Sequence, residues 1–370
     1  MTHLIDFLRN GSAFVVVLGI LVFVHELGHY LAARWRGVFV EAFSIGFGPA
    51  LFGWQDRQGT VWKVCCLPLG GYVRLHGQER PEDVAPEVRA AWIPGRTFHE
   101  KSVGSRAIVV AAGPLANFVL AAVLLAGLFM TVGRPVPVPV VGGVIEGGAA
   151  EQAGLLAGDR ILTIDGAPIR RFEDIQRIVT RSPGQKLALS VQRDGKTLDL
   201  PVTIGVRESP DGAHTGILGV RAGSVEYEKL NVVSAVIAGA AQTWDITAST
   251  ITGLVEMLRG TRPTDELSGP LGIAHLSGQV AQLGLASLIS FIAVLSVNLG
   301  LVNLFPIPVL DGGHLMFYLA EAVRGRPLPP RFLEYGFRAG VALLAGLFVF
   351  ATWNDLAHMG LFRWVAGLIG

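Results

Sequence analysis

Long apolar runs separated by polar segments dominate the pattern along this chain. A helix needs about 20 consecutive, mostly apolar residues to cross the hydrocarbon core of a bilayer. Four runs qualify, so we predict four transmembrane helices. A weaker stretch, residues 234–258, contains Trp244, Asp245 and Glu256, and it predicts an amphipathic helix at a surface or interface. The four predicted spans are residues 13–33, 107–132, 285–305 and 339–353.

Two segments between the apolar runs have the pattern of β-structure. Residues 59–77 alternate in polarity, are rich in Val, Trp and Tyr, and have Gly70 and Gly71 in the middle, which predicts a β-hairpin. Their apolar content is high for a loop, so we expect this hairpin to dip towards the membrane. Residues 136–221 predict a small β-rich domain, in which residues 193–196 form a tight hairpin turn.

The composition agrees with a membrane protein. The 370 residues are 51% hydrophobic and 16% charged, with a mean hydropathy of +0.50, whereas soluble domains carry about 25% charged residues. The formal net charge of +1 gives no indication of a nucleic-acid partner. Cys65 and Cys66 are neighbours, so no disulfide framework is predicted. Because no small-residue cleavage site follows the first apolar run, we expect it to be retained as a transmembrane helix.

Basic residues predict how the chain crosses the membrane, because short cytoplasmic loops are rich in Lys and Arg. Residues 34–101 contain nine Lys and Arg, and the short segment 321–338 contains four Arg. Both segments are therefore predicted to be cytoplasmic, with the chain ends and residues 133–284 on the other side. Residues 25–29 then lie near the cytoplasmic end of the first helix, where water can reach them.

The first apolar run contains the sequence His-Glu-Leu-Gly-His, from His25 to His29. Side chains four residues apart on an α-helix share a face, so the two imidazoles can bind one Zn²⁺, with Glu26 beside them as general base. So short a match also arises by chance. Ionisable residues within a spanning helix usually mark a functional site, however, and Gly28 lets another backbone approach closely. The motif therefore predicts a zinc site that needs a third protein ligand.

The third apolar run ends in a second polar cluster, which includes Asn303 and Asp311. Pro306 and Pro308 break the helix between them and free backbone groups, so Asp311 is expected at a bend at membrane depth. Its carboxylate is either the third zinc ligand, which we favour beside the first motif, or the cap of the following helix. His314 is a rival ligand, for which the sequence favours a place in that helix at the cytoplasmic boundary.

Motifs spread over nearly the whole chain support a resemblance to a known family. They are, besides the motif from His25 to His29, GFGP (46–49), LPLGGYV (67–73), GPLAN (113–117), SGPLGI (268–273) and NLFPIPVLDGG (303–313). With these motifs and its PDZ-like segment, the chain resembles the site-2 proteases, which are membrane-embedded zinc metalloproteases, and above all their bacterial RseP-like branch. Proteins of that branch often carry two tandem PDZ domains, whereas this chain has room for one.

The resemblance implies roles for individual residues. It implies that Zn²⁺ is bound by His25, His29 and Asp311, and that Glu26 is the general base. It also implies that the hairpin of residues 59–77 is a membrane-reentrant element that presents the substrate as an added β-strand. The residues implied to bind or position the substrate are Gly70, Gly71, Asn303, Pro306 and Pro308.

The predicted fold is a polytopic α-helical membrane protein with four transmembrane helices, a membrane-associated β-hairpin and one extracytoplasmic PDZ-like β-rich domain. The resemblance implies a metalloendopeptidase of the bacterial inner membrane. Its substrates would be the transmembrane segments of single-pass membrane proteins, such as anti-sigma factors or remnant signal peptides, already trimmed by another protease. The predicted divisions are residues 1–35, 36–103 with the hairpin at 59–77, 104–132, the periplasmic PDZ-like domain at 136–221, a periplasmic amphipathic region at 222–284, and 285–320 and 337–358.

Other functions predict different features. A non-enzymatic scaffold that senses outer proteins predicts that His25, His29 and Asp311 are dispensable. A metal transporter predicts charged residues in several helices and internal symmetry, and the sequence has neither. For the PDZ-like domain two roles are open: it binds a chain end by β-augmentation along residues 142–148, or it only restricts access.

Overall fold

The computed structural model of the chain describes residues 2–79, 84–208, 214–263 and 269–358, so Ser268 of the SGPLGI motif lies outside the described residues. The chain folds into two compact units, one made of Met1–Leu128 and Val232–Gly370, the other of Phe129–Asn231. In chain order the elements are α1 (Thr2–Trp35), β1 (Val40–Gln55), β2 (Val61–Leu75), α2 (Pro86–Ala90), α3 (Val103–Thr131), β3 (Arg134–Pro137), β4 (Val141–Val144), α4 (Ala149–Gln152), β5 (Arg160–Ile164), β6 (Ala167–Pro168), α5 (Phe172–Thr180), β7 (Lys186–Arg193), β8 (Lys196–Thr203), β9 (Gly205–Glu208), β10 (His214–Ile217), β11 (Val220–Ala222), β12 (Val225–Glu228), α6 (Val232–Leu258), α7 (Pro270–Gln282), α8 (Leu285–Asn303), α9 (Asp311–Arg324) and α10 (Pro330–His358).

Among the described residues, four helices are long and apolar enough to cross a membrane. They overlap the four predicted apolar runs, and their number and composition fit a multi-pass membrane protein. Several of them continue past the predicted ends, because an apolar run marks only the part of a helix that fits the hydrocarbon core. Val17 and Leu21 of α1 pack with Ile292 of α8 in a buried cluster. The four stretches are Arg9–Trp35, Val103–Thr131, Leu285–Asn303 and Pro330–Ala357.

The weaker stretch at residues 234–258 forms the helix α6, as predicted. Its buried residues are small, and four of them recur at every fourth position from Ala235 to Thr247. One of these, Gly239, lies so close to the backbone of α3 that an added methyl group would overlap it. The hydroxyl groups of Thr243 and Thr247 donate to carbonyl oxygens one turn earlier in α6. Small residues at a helix contact let the two backbones approach closely, and the placement of α6 at a surface or interface stays a prediction.

The β-hairpin is larger than the sequence predicts. Residues 59–77 supply only its second strand, β2, and the first strand is β1, which begins at Val40. The turn lies at residues 56–60, and Gly70 and Gly71 fall inside β2 instead of at the turn. Gly46 and Gly48 in β1 have φ near +85°, with Gly70 in β2 also positive. These glycines bend the two long strands and interrupt their regular alternation of polar and apolar residues. The sequence pattern therefore does not reveal the full length of the strands.

The pairing of β1 with β2 leaves two open edges, residues 52–55 of β1 and residues 71–75 of β2, and the second lies beside α1. Residues 50–55 of β1 pair with the first half of β2, and residues 42–45 of β1 have partners in both halves of β2. Residues 71–75 therefore have a strand partner on one side only, within the described part of the chain. An unpaired strand edge offers backbone donors and acceptors to another extended chain.

The second unit, Phe129–Asn231, has its own hydrophobic core. It contains a four-stranded antiparallel sheet in the order β6-β5-β7-β8, and the core includes Phe172, Ile175 and Val179 of α5. The predicted tight turn between β7 and β8 is confirmed, since both of its central residues, Asp194 and Gly195, have positive φ. The unit extends beyond residues 136–221 because β3 pairs with β12 near its two ends.

Candidate metal centre

Three side chains from distant parts of the sequence meet at one point. His25 and His29 lie one turn apart on α1, and Asp311 is the first residue of α9. The Nε2 atoms of the two histidines are 3.2 Å apart, and they lie 3.2 Å and 3.5 Å from Asp311 Oδ2. The group of atoms is compact enough to hold a metal ion.

The donor set fits a zinc ion. Ligand atoms about 2.0–2.1 Å from a tetrahedral ion lie about 3.3 Å from one another, which matches the three observed separations. Asp311 Oδ2 is buried and has no hydrogen-bond partner among the described residues. A buried carboxylate oxygen without a partner is costly unless a cation faces it. Two imidazoles and one carboxylate also form the ligand set of many catalytic zinc sites.

The turn between α8 and α9 brings Asp311 to this point. Helix α8 ends at Asn303, and Pro306 and Pro308 lie in the irregular segment that follows. At Gly312 an added methyl group would overlap backbone carbonyls of this segment, so the turn requires glycine. The N-cap residue of α9 is Leu310, whereas Asp311 is the first residue inside the helix. The capping role considered for Asp311 therefore does not apply.

Helix α3 supports both histidines from behind. The ring of His29 hydrogen-bonds through Nδ1 to the carbonyl oxygen of Val109, at 2.9 Å. His25 Nδ1 lies 3.2 Å from the amide nitrogen of Asn117, which is fully buried. An added methyl group at Gly113 would overlap the ring of His29. The GPLAN motif thus contributes two contacts to the candidate site that the sequence reasoning missed.

The contact at Gly28 confirms the expected close approach. An added methyl group there would overlap the backbone carbonyl of Ala112 on α3. On the other side of α1, Glu26 hydrogen-bonds with the backbone of Val73 on β2, and a methyl group at Gly71 would lie 3.1 Å from its Cγ. Helix α1 is therefore held between α3 and the open edge of β2, with Glu26 on the hairpin side.

A cavity of about 860 Å³ opens onto the site. Its wall contains His25, Glu26, His29 and Asp311, together with residues of the open edge of β2. Of the five residues implied to bind substrate, Gly71, Asn303 and Pro308 line the cavity, whereas Gly70 and Pro306 do not. His314 also lines it but does not belong to the group that could hold a metal ion. Asn303 Nδ2 donates to the carbonyl oxygen of Leu299 at 3.0 Å.

Known proteins similar to this chain match it over most of its length. A family model described as peptidase family M50 matches residues 13–347. A protein of Rhizobium meliloti (strain 1021) named as a zinc metalloprotease is 47% identical over 374 residues, which cover 96% of this chain and 99% of the relative. The metalloprotease MmpA of Caulobacter vibrioides is 39% identical over 396 residues, 99% of this chain and 100% of MmpA.

Several solved structures match parts of the chain. The HtrA-type protease AlgW, solved with a decapeptide, is 40% identical over 19% of this chain and 22% of its own, with a TM-score of 0.18. At that TM-score the match does not describe the fold.

Proposed function

Because the chain belongs to peptidase family M50, the site-2 protease family, we propose that this metalloprotease binds one Zn²⁺ through His25, His29 and Asp311 and cuts peptide bonds within the membrane. One observation carries the proposal: the three ligand atoms lie 3.2–3.5 Å apart beside a cavity in a helical membrane protein. Relatives named as zinc metalloproteases support the choice of metal.

Glu26 is the proposed general base. Bound zinc supplies a Lewis acid that polarises a carbonyl group and makes water a stronger acid. The Glu26 carboxylate then takes a proton from the attacking water and returns it to the departing amine. Its contact with the backbone of Val73 holds it on the cavity side of α1. His25 and His29, whose Nδ1 atoms contact α3, would hold the ion through their Nε2 atoms.

The open edge of β2 is the proposed docking strand for the substrate. A transmembrane helix satisfies its own backbone hydrogen bonds and shields them from attack, so the substrate has to unwind locally. An extended segment could regain those hydrogen bonds by pairing with residues 71–75, beside Glu26. We expect Asn303, Gly71 and Pro308 to contact it, because they line the cavity. Gly70 and Pro306 would act indirectly, through the shapes of β2 and of the turn before α9.

The substrates we propose are transmembrane segments of single-pass proteins, such as anti-sigma factors or remnant signal peptides, trimmed beforehand by another protease. The distribution of Lys and Arg supports a site near the cytoplasmic face of the bacterial inner membrane, with residues 129–231 in the periplasm.

For this second unit we propose a PDZ-like fold. It either binds chain ends along residues 142–148 or excludes untrimmed proteins, and deleting it separates these roles. Loss of cleavage of trimmed substrates indicates binding, whereas new cleavage of untrimmed ones indicates exclusion.

The variant Glu26→Gln tests the catalytic assignment. The purified full chain, reconstituted in vesicles, is given a panel of single-pass proteins with helix-breaking residues in their spans. The variant should keep its zinc and lose about 10²–10⁴-fold in cleavage rate. Glu79→Gln is a matched control, because Glu79 is an exposed carboxylate on the wall of the same cavity, and it should cleave normally. Wild-type cleavage by Glu26→Gln would exclude Glu26 as the base.

A further inference from the structure

Asn117 has no role in the chemistry described above, yet it is a fully buried polar residue in a helix of apolar ones. Its amide nitrogen lies 3.2 Å from His25 Nδ1. Its amide oxygen, Oδ1, is also buried, and it has no partner among the described residues. A polar side chain in a spanning helix is costly and usually functional, so both the contact and the unpaired oxygen require a physical explanation.

The chemistry of a histidine ligand distinguishes the two orientations of this amide. A neutral imidazole carries one proton, so Nε2 can bind a metal only when the proton is on Nδ1, where it needs an acceptor. His29 has one, the carbonyl oxygen of Val109 at 2.9 Å. With the Asn117 nitrogen facing His25, Nδ1 would accept a hydrogen bond and Nε2 would carry the proton, which blocks metal binding.

Half a turn of the amide exchanges its oxygen and nitrogen with almost no change of shape. Oδ1 then faces His25 Nδ1, gains the partner that it lacks, and accepts the Nδ1–H bond. The lone pair on Nε2 is left free to point towards Asp311 Oδ2, 3.2 Å away. One change of orientation therefore gives the buried oxygen a partner and prepares His25 as a ligand, while Nδ2 takes the place that Oδ1 held.

We propose that Asn117 is a positioning residue whose side-chain oxygen accepts the Nδ1–H of His25 and thereby directs Nε2 to the metal. This inference rests on the proposed zinc site. Asn117 and Val109 lie on the same helix, α3, so one helix orients both histidine ligands, through a side chain for His25 and through the main chain for His29.

Helix α8 keeps Asn117 in place. The hydroxyl of Ser296, also fully buried, donates to the backbone carbonyl of Asn117 at 2.8 Å. A methyl group at Gly300 would lie 3.4 Å from the Asn117 Cβ. These contacts fix the backbone of Asn117 and leave its amide directed at His25. A residue that served only to join helices could make its hydrogen bond to α8 instead, but the Asn117 side chain faces α1.

The experiment compares Zn²⁺ affinity in three variants of the full chain. Each apo-protein, in detergent, is titrated with Zn²⁺ against a chelator of known affinity, and Co²⁺ absorption reports the ligand geometry. Asn117→Leu, similar in size but without an acceptor, should bind Zn²⁺ about 10–100-fold more weakly. Asn117→Asp, which can only accept, should keep wild-type affinity. Ser296→Ala loses one of the two contacts that hold the Asn117 backbone but leaves the Asn117 side chain present, so it should weaken Zn²⁺ binding less than Asn117→Leu does.

Two results would overturn the inference: wild-type affinity in Asn117→Leu, or equal weakening in Asn117→Asp and Asn117→Leu. Thermal unfolding of each apo-protein shows whether it is folded, and Asn117→Val replaces the Leu variant if that one is not. Asp311→Ala in the same titration separates the two proposals. Weak zinc binding by the wild type, or full binding by Asp311→Ala, would reject the zinc site itself. A sound zinc site with an unaffected Asn117→Leu rejects only the role of Asn117.

Discussion

His25 Nε2 lies 3.2 Å from Asp311 Oδ2, although the two residues are near opposite ends of the chain. His25 is held by α3 on one side, and Asp311 by a glycine-dependent turn on the other. The centre therefore depends on helix contacts as much as on its ligands. Substitutions that change those contacts should alter metal binding without touching a ligand.

Gly113→Ala should weaken zinc binding, because the added methyl group overlaps the His29 ring. Displacing a ligand by more than about 0.5 Å degrades a metal site. Gly127→Ala is the matched control on the same helix, since a methyl group there meets nothing. It should leave zinc affinity unchanged and stabilise the protein by about 0.5–1 kcal/mol. Equal zinc affinity in the two variants would show that α3 does not shape the site.

Gly28→Ala should destabilise the membrane unit, because its methyl group overlaps the Ala112 backbone carbonyl and pushes α1 away from α3. Overpacking of this kind costs about 1–3 kcal/mol. Gly19→Ala lies on the same helix in open space and should cause no loss. Thermal unfolding in detergent compares them, and a Gly28→Ala midpoint at or above that of Gly19→Ala would contradict the close contact.

The sequence predicts the parts of this fold that follow from local pattern. Apolar runs mark the spans, and helical spacing puts His25 and His29 on one face. The helix break after Asn303 identifies Asp311 as well, since proline and glycine act locally. The sequence pattern does not predict strand β1, because its glycines interrupt the alternation that identifies strands. The predicted hairpin therefore covers only β2.

Asn117 could not have been assigned from the sequence, because its partner lies 92 positions away on another helix. An asparagine inside an apolar run was the available signal. Such a signal indicates a functional residue without identifying what it contacts. The open edge of residues 71–75 is equally invisible, because it follows from which strands pair and not from their composition.

Asp159→Asn should destabilise the second unit. Both carboxylate oxygens of this buried residue accept hydrogen bonds from Arg193 at 2.7 Å, and this interaction lowers the pKa of Asp159 below its usual 3.8. The stabilisation that the Asp159–Arg193 interaction gives to the folded unit is therefore complete above about pH 4, and it is lost as the pH falls through the lowered pKa of Asp159. At neutral pH the variant should lose about 1.5–3 kcal/mol.

Glu228→Gln is the control for Asp159→Asn, since the ion pair of Glu228 with Arg171 is largely exposed. It should cost less than about 1 kcal/mol. Hydrogen exchange of the β5 and β7 amides in the full chain measures both effects between pH 3 and pH 7. Equal exchange rates in the two variants, or a stability in Asp159→Asn that falls with acid as steeply as in wild type, would contradict the assignment.

His314→Ala should retain wild-type zinc content. The residue lies one turn after Asp311 and lines the cavity, but it is outside the group of atoms that could share a metal. Metal analysis of the purified variant checks this. Loss of zinc would make His314 a ligand, and the three-residue site would then be incomplete.

The zinc content of Asp311→Ala, measured beside wild type and His314→Ala, tests the central claim most directly. Each full-length protein is purified in detergent without added metal, and its zinc is determined by mass spectrometry. Wild type and His314→Ala should each carry one zinc ion per chain, and Asp311→Ala should carry almost none, because two histidines alone hold the ion weakly. Full zinc occupancy in Asp311→Ala would contradict the proposed centre.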